Sequence, residues 1–530
     1  MEAEEANHAS AIDSLGRGTT VMVLGTIALL LLNFIGRVYA ARNLTVAQFG
    51  SFNLGLALAG LLALVALLGL HQAMARSIAE NPDPVARRRI IRWTAAVTAV
   101  TSVSASVIVY VFAAQIASLF DPSQVAVLTV VFQFFSVTVG LTLLCTFIAS
   151  IFQGFEDTVP NAWLNQAVQP ASFAIFLVIF FQFHLALRGA LLAWVISNVV
   201  TFGALVVYAT RRLPRHLTPG PSAAPLPRGL FSLSIALWGV TTLTFVTAYV
   251  DTLILGAFRP AEQVGIYSAM MLLARLILVV AAAVTYIFLP VAARLSGLKD
   301  MKTLGEMFAT TARWMMIFTV PIFFLFTLLP HASIVTVFGK SYVGGDSALM
   351  LISVGAFVSI LFGPVNAALA GMGVTRPLLI STGISAVSNL VLSFTLIPTF
   401  GLMGAAIAWT TARFLYPATA MTGLYSTSGI HPFRRTLLVP LGLTLAIGIP
   451  LFYAFSLITH PAYLVFPLYF VGLFLCIGIV LLTHSVERGD FVACRLAEKV
   501  LGRPLPWLRR LLERSLSAPR PEATEGAPLA

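Results

Sequence analysis

Charged side chains are scarce in this chain of 530 residues, since Asp, Glu, Lys and Arg together make up 10% of it. Hydrophobic residues make up 58%, and the mean hydropathy is +0.93. A soluble domain needs a far larger share of polar side chains to cover its surface. This composition therefore excludes a soluble domain and predicts a protein whose solvent is the lipid bilayer.

Cysteine is also scarce, with three residues in the whole chain. Cys145 and Cys476 lie in apolar runs and Cys494 lies near the C-terminal end, without any CxxC spacing. A disulfide framework or a zinc site requires clustered ligands at short spacing. Neither is predicted, and we expect no metal ion and no cofactor.

Motifs of catalysis are missing as well. The chain has no Walker motif and no nucleophile elbow. Its longest predicted outer loop, residues 330–347, is short for a loop that carries a catalytic centre. We therefore expect that the protein is not an enzyme. The first twenty residues are polar and acidic, unlike a cleaved signal peptide, so the first apolar span is expected to remain.

Long apolar runs occupy most of the chain. A helix needs roughly 20 mainly apolar residues to cross about 30 Å of hydrocarbon, where it satisfies its own backbone polar groups. The predicted fold class is an all-α integral membrane protein of about fourteen transmembrane helices. The predicted spans are 20–40, 50–73, 94–118, 125–152, 162–184, 187–210, 230–257, 264–292, 306–329, 347–370, 378–398, 402–425, 436–458 and 462–483.

Lys and Arg residues collect in alternate connections between these spans. Cytoplasmic connections of membrane proteins are enriched in both residue types. With the N-terminus inside, 24 of the 32 lie in predicted inner segments, four lie in outer loops and four lie within spans. Both termini are therefore predicted to be cytoplasmic. The net charge of +12 follows from this topology, and no nucleic-acid partner is predicted.

Segments of the first half of the chain recur, in the same order, in the second half. Six spans separate the copies, so both have the same orientation, as parallel repeats do. The fold predicted is two pseudo-symmetric six-helix bundles plus two C-terminal helices. The matches are ARNLTVAQFGSF from Ala41 with GAFRPAEQVGIY from Gly256, QGFEDTVP from Gln153 with AGMGVTRP from Ala370, and LRGALLAWV from Leu187 with LMGAAIAWT from Leu402, at offsets of 215, 217 and 215.

The repeat and a Pro- and Arg-rich stretch between its copies divide the chain into predicted domains. These are a cytoplasmic N-terminus (1–19), the first six-helix bundle (20–210), a cytoplasmic linker (211–229), the second six-helix bundle (230–425), two additional transmembrane helices (436–483) and a basic cytoplasmic tail (484–530).

Three stretches resemble the polysaccharide-flippase branch of the multidrug/oligosaccharidyl-lipid/polysaccharide (MOP) exporter superfamily. They are GRVYAARNLTVAQFGSFNLGLALAGLLALVALLGLHQAMARSIAE from Gly36, VDTLILGAFRPAEQVGIYSAMMLLARL from Val250 and LIPTFGLMGAAIAWT from Leu396. The resemblance covers about residues 15–480. It implies two six-helix bundles in a V that open alternately to each face, with the substrate headgroup in a central polar cavity. In helix count the chain resembles the lipid II flippases, although their full set of basic cavity residues does not match.

Charged residues within the spans are the first candidates for a site, because each costs at least ~2.5 to 3.5 kcal/mol to insert at mid-membrane. Arg275 lies about eleven residues into the eighth predicted span, close to mid-membrane. It either binds the diphosphate that joins a lipid carrier to a glycan, since guanidinium forms bidentate bonds to phosphate, or forms a buried interhelical ion pair.

Arg37 lies near the outer end of the first span, and the repeat offset aligns it with Thr252, next to Asp251. Arg37 is predicted to bind substrate. One interpretation is that Arg37 and Asp251 form a gate or a cation-coupling pair at the outer mouth between the halves. The alternative is that the Arg37 side chain extends to the outer membrane interface while Asp251 caps its helix against solvent.

Arg413 lies within the twelfth span and aligns with Asn198 in the sixth, so both are predicted to line the cavity. Arg313 lies near an inner boundary and is expected to extend to the interface. Further uncharged polar residues within spans serve either as substrate ligands or as interhelical hydrogen-bonding groups. The substrate-binding candidates among them are Asn33, Asn53 and Asn366.

The resemblance and the basic spans together predict a flippase of the bacterial inner membrane. It would move a polyprenyl-diphosphate-linked oligosaccharide from the inner to the outer leaflet for cell-surface polysaccharide synthesis, by alternating access. The expected partners are this lipid-linked oligosaccharide, membrane lipids, and polysaccharide polymerase and export proteins. The alternative is a cation-coupled exporter of drugs or small organic molecules, whose site would centre on embedded carboxylates; a structural scaffold is a third class.

Overall fold

The computed structural model describes residues 31–157, 159–213, 229–457, 464–485 and 490. Within these residues the chain forms helices and no strand, which confirms the predicted all-α class. A π-helix, Pro160–Val168, leads into α7. The helices are α1 (31–43 within the described residues), α2 (Val46–Leu67), α3 (Leu70–Glu80), α4 (Pro84–Val111), α5 (Ala113–Ala117), α6 (Val125–Gly154), α7 (Gln169–Gln182), α8 (Ala186–Arg212), α9 (Leu230–Phe258), α10 (Ala261–Gly297), α11 (Met301–Leu328), α12 (Pro330–Val337), α13 (Asp346–Leu361), α14 (Val365–Gly371), α15 (Arg376–Phe400), α16 (Leu402–Ser428), α17 (Arg435–Leu457) and α18 (Val465–Leu482).

The chain is a multi-pass membrane protein. Among the described residues, eleven helical segments are long and apolar enough to cross a membrane. Of the other three predicted spans, 402–425 lies in α16, and the described parts of 20–40 and 462–483 lie largely in α1 and α18. The total of fourteen stays a prediction. The predicted N-terminus and most of the predicted linker and tail lie outside the described residues.

The second predicted span, 50–73, is wrong as a single helix, because the helical run breaks at Leu68 and Gly69. Both residues adopt left-handed backbone angles, with φ of 46° and 68°. A Cβ atom at Gly69 would lie 2.3 Å from the carbonyl oxygen of Ser234, so only glycine leaves room for α9 here. The break therefore separates α2 from α3 where α9 crosses them.

The sequence repeat corresponds to a repeated packing geometry. A Cβ atom at Gly154 would lie 2.8 Å from the carbonyl oxygen of Ala75, and a Cβ atom at Gly371 would lie 2.8 Å from the Cβ of Ala292. These two contacts are equivalent at the offset of 217. The same helix crossing thus occurs once in each half, α1–α8 and α9–α16.

The two halves meet where α2 crosses α10, at the ends that the charge count predicts to face outside, called the outer ends below. A Cβ atom at Gly50 would lie 1.8 Å from the carbonyl oxygen of Ala261, and one at Gly265 would lie 2.1 Å from that of Val46. Gly50 and Gly265 are equivalent at the offset of 215, as are Val46 and Ala261. The crossing therefore lies on the pseudo-twofold axis that relates the halves.

Polar contacts also join the outer ends. The Arg42 side chain, from the N-terminal half, donates to the carbonyl oxygens of Thr336 and Val337 at the end of α12, the second at 2.7 Å. The Tyr342 hydroxyl donates to the Ala41 carbonyl oxygen at 3.0 Å. Since cations are favoured at a helix C-terminus, Arg42 helps to hold the halves together.

The helices α17 and α18 pack on α11 of the C-terminal half. Beyond them, Asp490 accepts hydrogen bonds from Arg313 Nη2 at 2.6 Å and from Trp314 Nε1 at 2.8 Å. Arg313 is 1% exposed. The prediction that Arg313 extends to the membrane interface is therefore wrong, because its charge is neutralised inside the protein by a residue of the tail.

Candidate binding cavity between the two halves

A central cavity of about 300 Å³ lies between the two halves, below the crossing of α2 and α10. Arg275 is fourteen residues from the start of α10, or about 21 Å along the helix at 1.5 Å per residue. The cavity is thus placed deep in the membrane. The residues that line it are Arg37, Asn53, Leu56, Ala59, Gly60, Thr138, Thr142, Trp194, Phe245, Ala248, Tyr249, Thr252, Ser268, Met271, Leu272 and Arg275.

The central cavity lies on the same pseudo-twofold axis as the glycine crossing. At the offset of 215, four pairs of equivalent positions face it, so each half contributes the same places on the backbone. The side chains at these equivalent positions differ: each arginine has a small uncharged residue as its counterpart in the other half. The pairs are Arg37 with Thr252, Asn53 with Ser268, Leu56 with Met271, and Gly60 with Arg275.

The described lining of the central cavity contains two arginines and no carboxylate, although the buried Asp251 lies within electrostatic reach of Arg275. Neither Arg37 nor Arg275 forms an ion pair with a carboxylate in the part of the chain that the structure describes. Arg37 Nε is buried without a hydrogen-bond partner, and the Arg275 guanidinium carbon lies 5.8 Å from the centre of the Tyr249 ring. A half-buried cation without a counter-ion is costly, so the cavity favours an anionic ligand. Among the described residues no carboxylate lies within ion-pairing distance of Arg275, so its interpretation as half of a buried ion pair stays an alternative, with Asp251 within electrostatic reach.

Asp251 faces away from the central cavity. It is 0% exposed, and its carboxylate accepts hydrogen bonds from the Tyr267 hydroxyl at 2.5 Å and from the Thr252 backbone N–H at 2.7 Å. The neighbouring Thr252 lines the cavity instead. The structure therefore does not bring Arg37 and Asp251 together as a pair.

A second cavity, of about 230 Å³, lies within the C-terminal half. It contains two predicted site residues, Arg413 and Asn366. The Arg413 guanidinium carbon lies 5.3 Å from the centre of the Trp409 ring, and its Nε is buried without a hydrogen-bond partner. The cavity is lined by Thr244, Thr247, Asn366, Thr382, Ser385, Trp409, Ala412, Arg413 and Tyr416. We call it the Arg413 cavity.

The remaining predicted asparagines differ in their surroundings. Asn53 lines the central cavity while its Nδ2 donates to the Phe49 carbonyl oxygen at 2.8 Å. Asn198 is buried and donates to the Trp194 carbonyl oxygen at 2.8 Å. Asn33 and Asn198 line neither of the two cavities. Asn198 is thus separate from Arg413, with which it was predicted to line one cavity, and the substrate-binding role of Asn33 stays a prediction.

Aromatic residues of both cavities were not predicted from the sequence. Trp194 lines the central cavity and Trp409 lines the Arg413 cavity. They are equivalent at the offset of 215, as the last but one residue of LRGALLAWV and of LMGAAIAWT. This shared tryptophan was the signal available in the sequence, whereas nothing marked Tyr249 or Thr138 among the many similar residues in apolar runs.

Solved structures of transporters share this architecture. The lipid II flippase MurJ in an inward closed conformation has a TM-score of 0.67 and 13% sequence identity, covering 89% of this chain and 99% of that chain. A multidrug resistance MATE family transporter in an inward-facing conformation has a TM-score of 0.60 and 15% identity, with 77% and 99% covered. A MOP superfamily transporter from Pyrococcus furiosus, described as having a binding pocket of reverse polarity, has a TM-score of 0.54 and 14% sequence identity. That comparison covers 77% of this chain and 94% of that chain. The chain is thus a membrane protein with the fold of the MOP superfamily transporters.

The family follows from the sequence match. The model of the family described as polysaccharide biosynthesis protein matches residues 15–296, more than half of the chain. The protein belongs to this family, which confirms the resemblance found in its sequence motifs. Among curated protein sequences, none matches this chain.

Proposed function

We propose that the protein is a flippase that moves a polyprenyl-diphosphate-linked oligosaccharide from the inner to the outer leaflet for cell-surface polysaccharide synthesis. The observation that carries this proposal is the pair Arg37 and Arg275, one from each half, in a central cavity whose lining, in the part of the chain that the structure describes, contains no carboxylate. The family to which the chain belongs supports the same assignment.

The chemistry of the central cavity suits a diphosphate that carries a sugar. Guanidinium groups form charge-assisted, bidentate hydrogen bonds to phosphate oxygens and stay charged at every physiological pH. Two such groups match the two phosphoryl units of a diphosphate. Around them, Asn53, Ser268 and Thr142 offer polar atoms to sugar hydroxyls. The polyprenyl chain would remain in the surrounding lipid.

A ligand that bridges the halves couples binding to conformation. Arg37 belongs to α1 and Arg275 to α10, so any rocking of one half against the other changes the distance between their guanidinium groups. A diphosphate bound to both stabilises the arrangement in which the two groups approach each other. We infer alternating access in which the crossing of Gly50 and Gly265 opens to release the substrate outside.

A cation-coupled exporter is the second candidate, and the observation that favours it is the fully buried Asp251 in α9. An embedded carboxylate is the usual place for a coupling cation. However, Asp251 is directed toward Tyr267 rather than into the central cavity, and two arginines repel a cationic drug from that cavity. The anionic substrate is therefore the first candidate.

We further propose that the protein lies in a bacterial inner membrane with both termini in the cytoplasm, where inner loops carry the excess of Lys and Arg. Its proposed partners are membrane lipids and the polysaccharide polymerase and export proteins that would use the translocated product.

The function is tested in proteoliposomes that contain a fluorescent polyprenyl-diphosphate disaccharide, with a membrane-impermeant quencher outside. Wild-type protein should exchange the lipid between leaflets, and Arg275→Ala should slow the exchange at least tenfold. Arg294→Ala is the matched control, because Arg294 is an exposed arginine in the last turn of the same helix. Exchange by Arg275→Ala at the wild-type rate, or efflux of a cationic dye that depends on Asp251, would overturn the proposal.

A further inference from the structure

The Arg413 cavity presents a distinctive set of hydrogen-bonding groups. Several of its hydroxyls already donate their proton to the backbone, so they face the cavity as acceptors. The bonds are Thr244 to Val240, Thr247 to Thr244 and Ser385 to Ala412, at 3.1, 2.8 and 2.9 Å. Thr382 donates to Leu378 at 2.7 Å and is also hydrogen-bonded to Tyr416 within the cavity. The lining also contains Asn366 and Tyr416, which can donate, so a ligand that satisfies the whole set brings both hydrogen-bond donors and acceptors.

The charge of the cavity calls for an anionic group on the same ligand. Arg413 is its one charged lining residue, and it makes no ion pair within the described part of the chain. Its guanidinium carbon lies 5.3 Å from the centre of the Trp409 ring, and its Nε is buried without a hydrogen-bond partner. Arg413 also lies within electrostatic reach of Arg275, and mutual repulsion increases the demand of both for an anion. One planar guanidinium matches one carboxylate.

From these two requirements we propose that the Arg413 cavity binds a sugar that carries a carboxylate, such as a uronic acid. Chloride and acetate have no hydroxyl protons to offer to the threonine and serine acceptors, and inorganic phosphate near neutral pH offers fewer than a sugar does. A neutral sugar supplies those donors but leaves Arg413 unpaired. A carboxylated pyranose supplies both the carboxylate and the hydroxyl donors.

A larger cavity of about 500 Å³ adjoins this one and shares Asn366, Arg413 and Tyr416 with it. The ligand can therefore extend beyond one sugar ring. The inference rests on the proposed function and adds to it: while Arg37 and Arg275 hold the diphosphate, Arg413 selects an acidic residue of the attached glycan.

The test uses soluble sugars that carry neither lipid nor diphosphate, so that its result does not depend on flippase activity. Full-length protein in lipid nanodiscs is titrated with methyl glucuronide and with methyl glucoside, which differ by a carboxylate in place of a hydroxymethyl group. Binding is followed by saturation-transfer NMR. Wild-type protein should bind the glucuronide at least tenfold more tightly than the glucoside.

The variants separate this site from the central cavity. Arg413→Gln should reduce the preference to less than twofold, whereas Arg275→Gln should keep most of it, since only the repulsion between the two arginines is lost, while weakening the binding of a polyprenyl diphosphate. Should Arg413→Gln fail to fold, Ser385→Ala provides a second variant, with a loss of about threefold expected for both sugars. Equal binding of the two sugars by wild-type protein overturns the inference, and so does displacement of the glucuronide by an equal concentration of acetate. If wild-type protein prefers the glucuronide but does not exchange lipid in the proteoliposome assay, only the proposed flippase function is refuted.

Discussion

Gly50 of α2 lies against Gly265 of α10, so that a Cβ atom at Gly50 would be 2.7 Å from the Gly265 backbone nitrogen. The two residues occupy the same place in the two copies of the repeat. Small residues at a helix crossing let the backbones approach closely, and a membrane interior provides few other ways to hold helices together. This contact closes the outer ends of the two halves.

A larger side chain at Gly50 should open the outer ends, because the three atoms nearest to a Cβ there are backbone atoms of α10, which cannot turn aside as a side chain can. In Gly50→Leu, a cysteine placed at position 53 in a cysteine-free background should react with a membrane-impermeant maleimide added outside, at least fivefold faster than in the parent. Gly203→Leu is the matched control, since no heavy atom lies within 4 Å of a Cβ there. Equal labelling of both variants would show that the crossing is not the outer closure.

Arg42 should strengthen the same closure through the carbonyl groups at the end of α12. Arg42→Ala removes both hydrogen bonds and the favourable charge at the helix terminus, a loss of about 1 kcal/mol or more. Spin labels on the outer ends of α2 and α10 should then show a larger population at long distance in electron-electron resonance measurements. Arg259→Ala serves as the control, because Arg259 bonds to carbonyl groups within its own half. An unchanged distance distribution in Arg42→Ala would contradict this role.

Breaking the ion pair between Arg313 and Asp490 should destabilise the protein strongly. Removing one partner of a buried pair leaves an uncompensated charge, which costs ~3 to 5 kcal/mol. Asp490→Ala should therefore lower the thermal unfolding midpoint in detergent, and replacement of both partners by Met and Leu should recover most of the loss. The exposed pair Arg76 and Glu80, with side chains 60% and 61% exposed, is the control. Its loss should change the stability by less than about 1 kcal/mol.

Arg37 and Arg275 should act together in recognising two phosphoryl groups. Wild-type protein is expected to bind a polyprenyl diphosphate at least tenfold more tightly than the corresponding monophosphate in nanodiscs. In Arg37→Gln the ratio of diphosphate to monophosphate affinity should fall to about two. When Arg275→Gln is added to Arg37→Gln, diphosphate binding should weaken by a smaller factor than when Arg275→Gln is made in the wild-type protein, because the effects of partners at one site are not additive. Additive losses would indicate that the arginines bind separate ligands.

Much of the helical architecture could be predicted from apolar runs and their punctuation. The predicted span 125–152 agrees closely with α6, which is Val125–Gly154. The agreement is close because Pro122 and the polar residues after Gly154 delimit a long apolar run. The break at Leu68 and Gly69 could not be predicted in the same way. Its cause is a carbonyl group of α9, far away in sequence, and the apolar run continues through it.

The candidate site was predictable in part for a similar reason. Arg37 and Arg275 were conspicuous because charge within a span is rare, and both line the central cavity. The expected pairing of Arg37 with Asp251 assumed that Asp251 faces the axis, yet successive residues of a helix point about 100° apart. The repeat aligns Arg37 with Thr252, and it is Thr252 that faces the cavity.

Within the described residues, α17 and α18 pack on α11 of the C-terminal half, and this attachment has a practical consequence. A Cβ atom at Gly448 would touch the Phe324 ring at 2.3 Å, and one at Gly472 would lie 3.0 Å from Pro321, so both helices are fitted closely to α11. When the halves move, α17 and α18 should move together with the C-terminal half. A fluorophore or antibody fragment fixed to α17 therefore becomes a reporter of that half alone, mounted outside the central cavity.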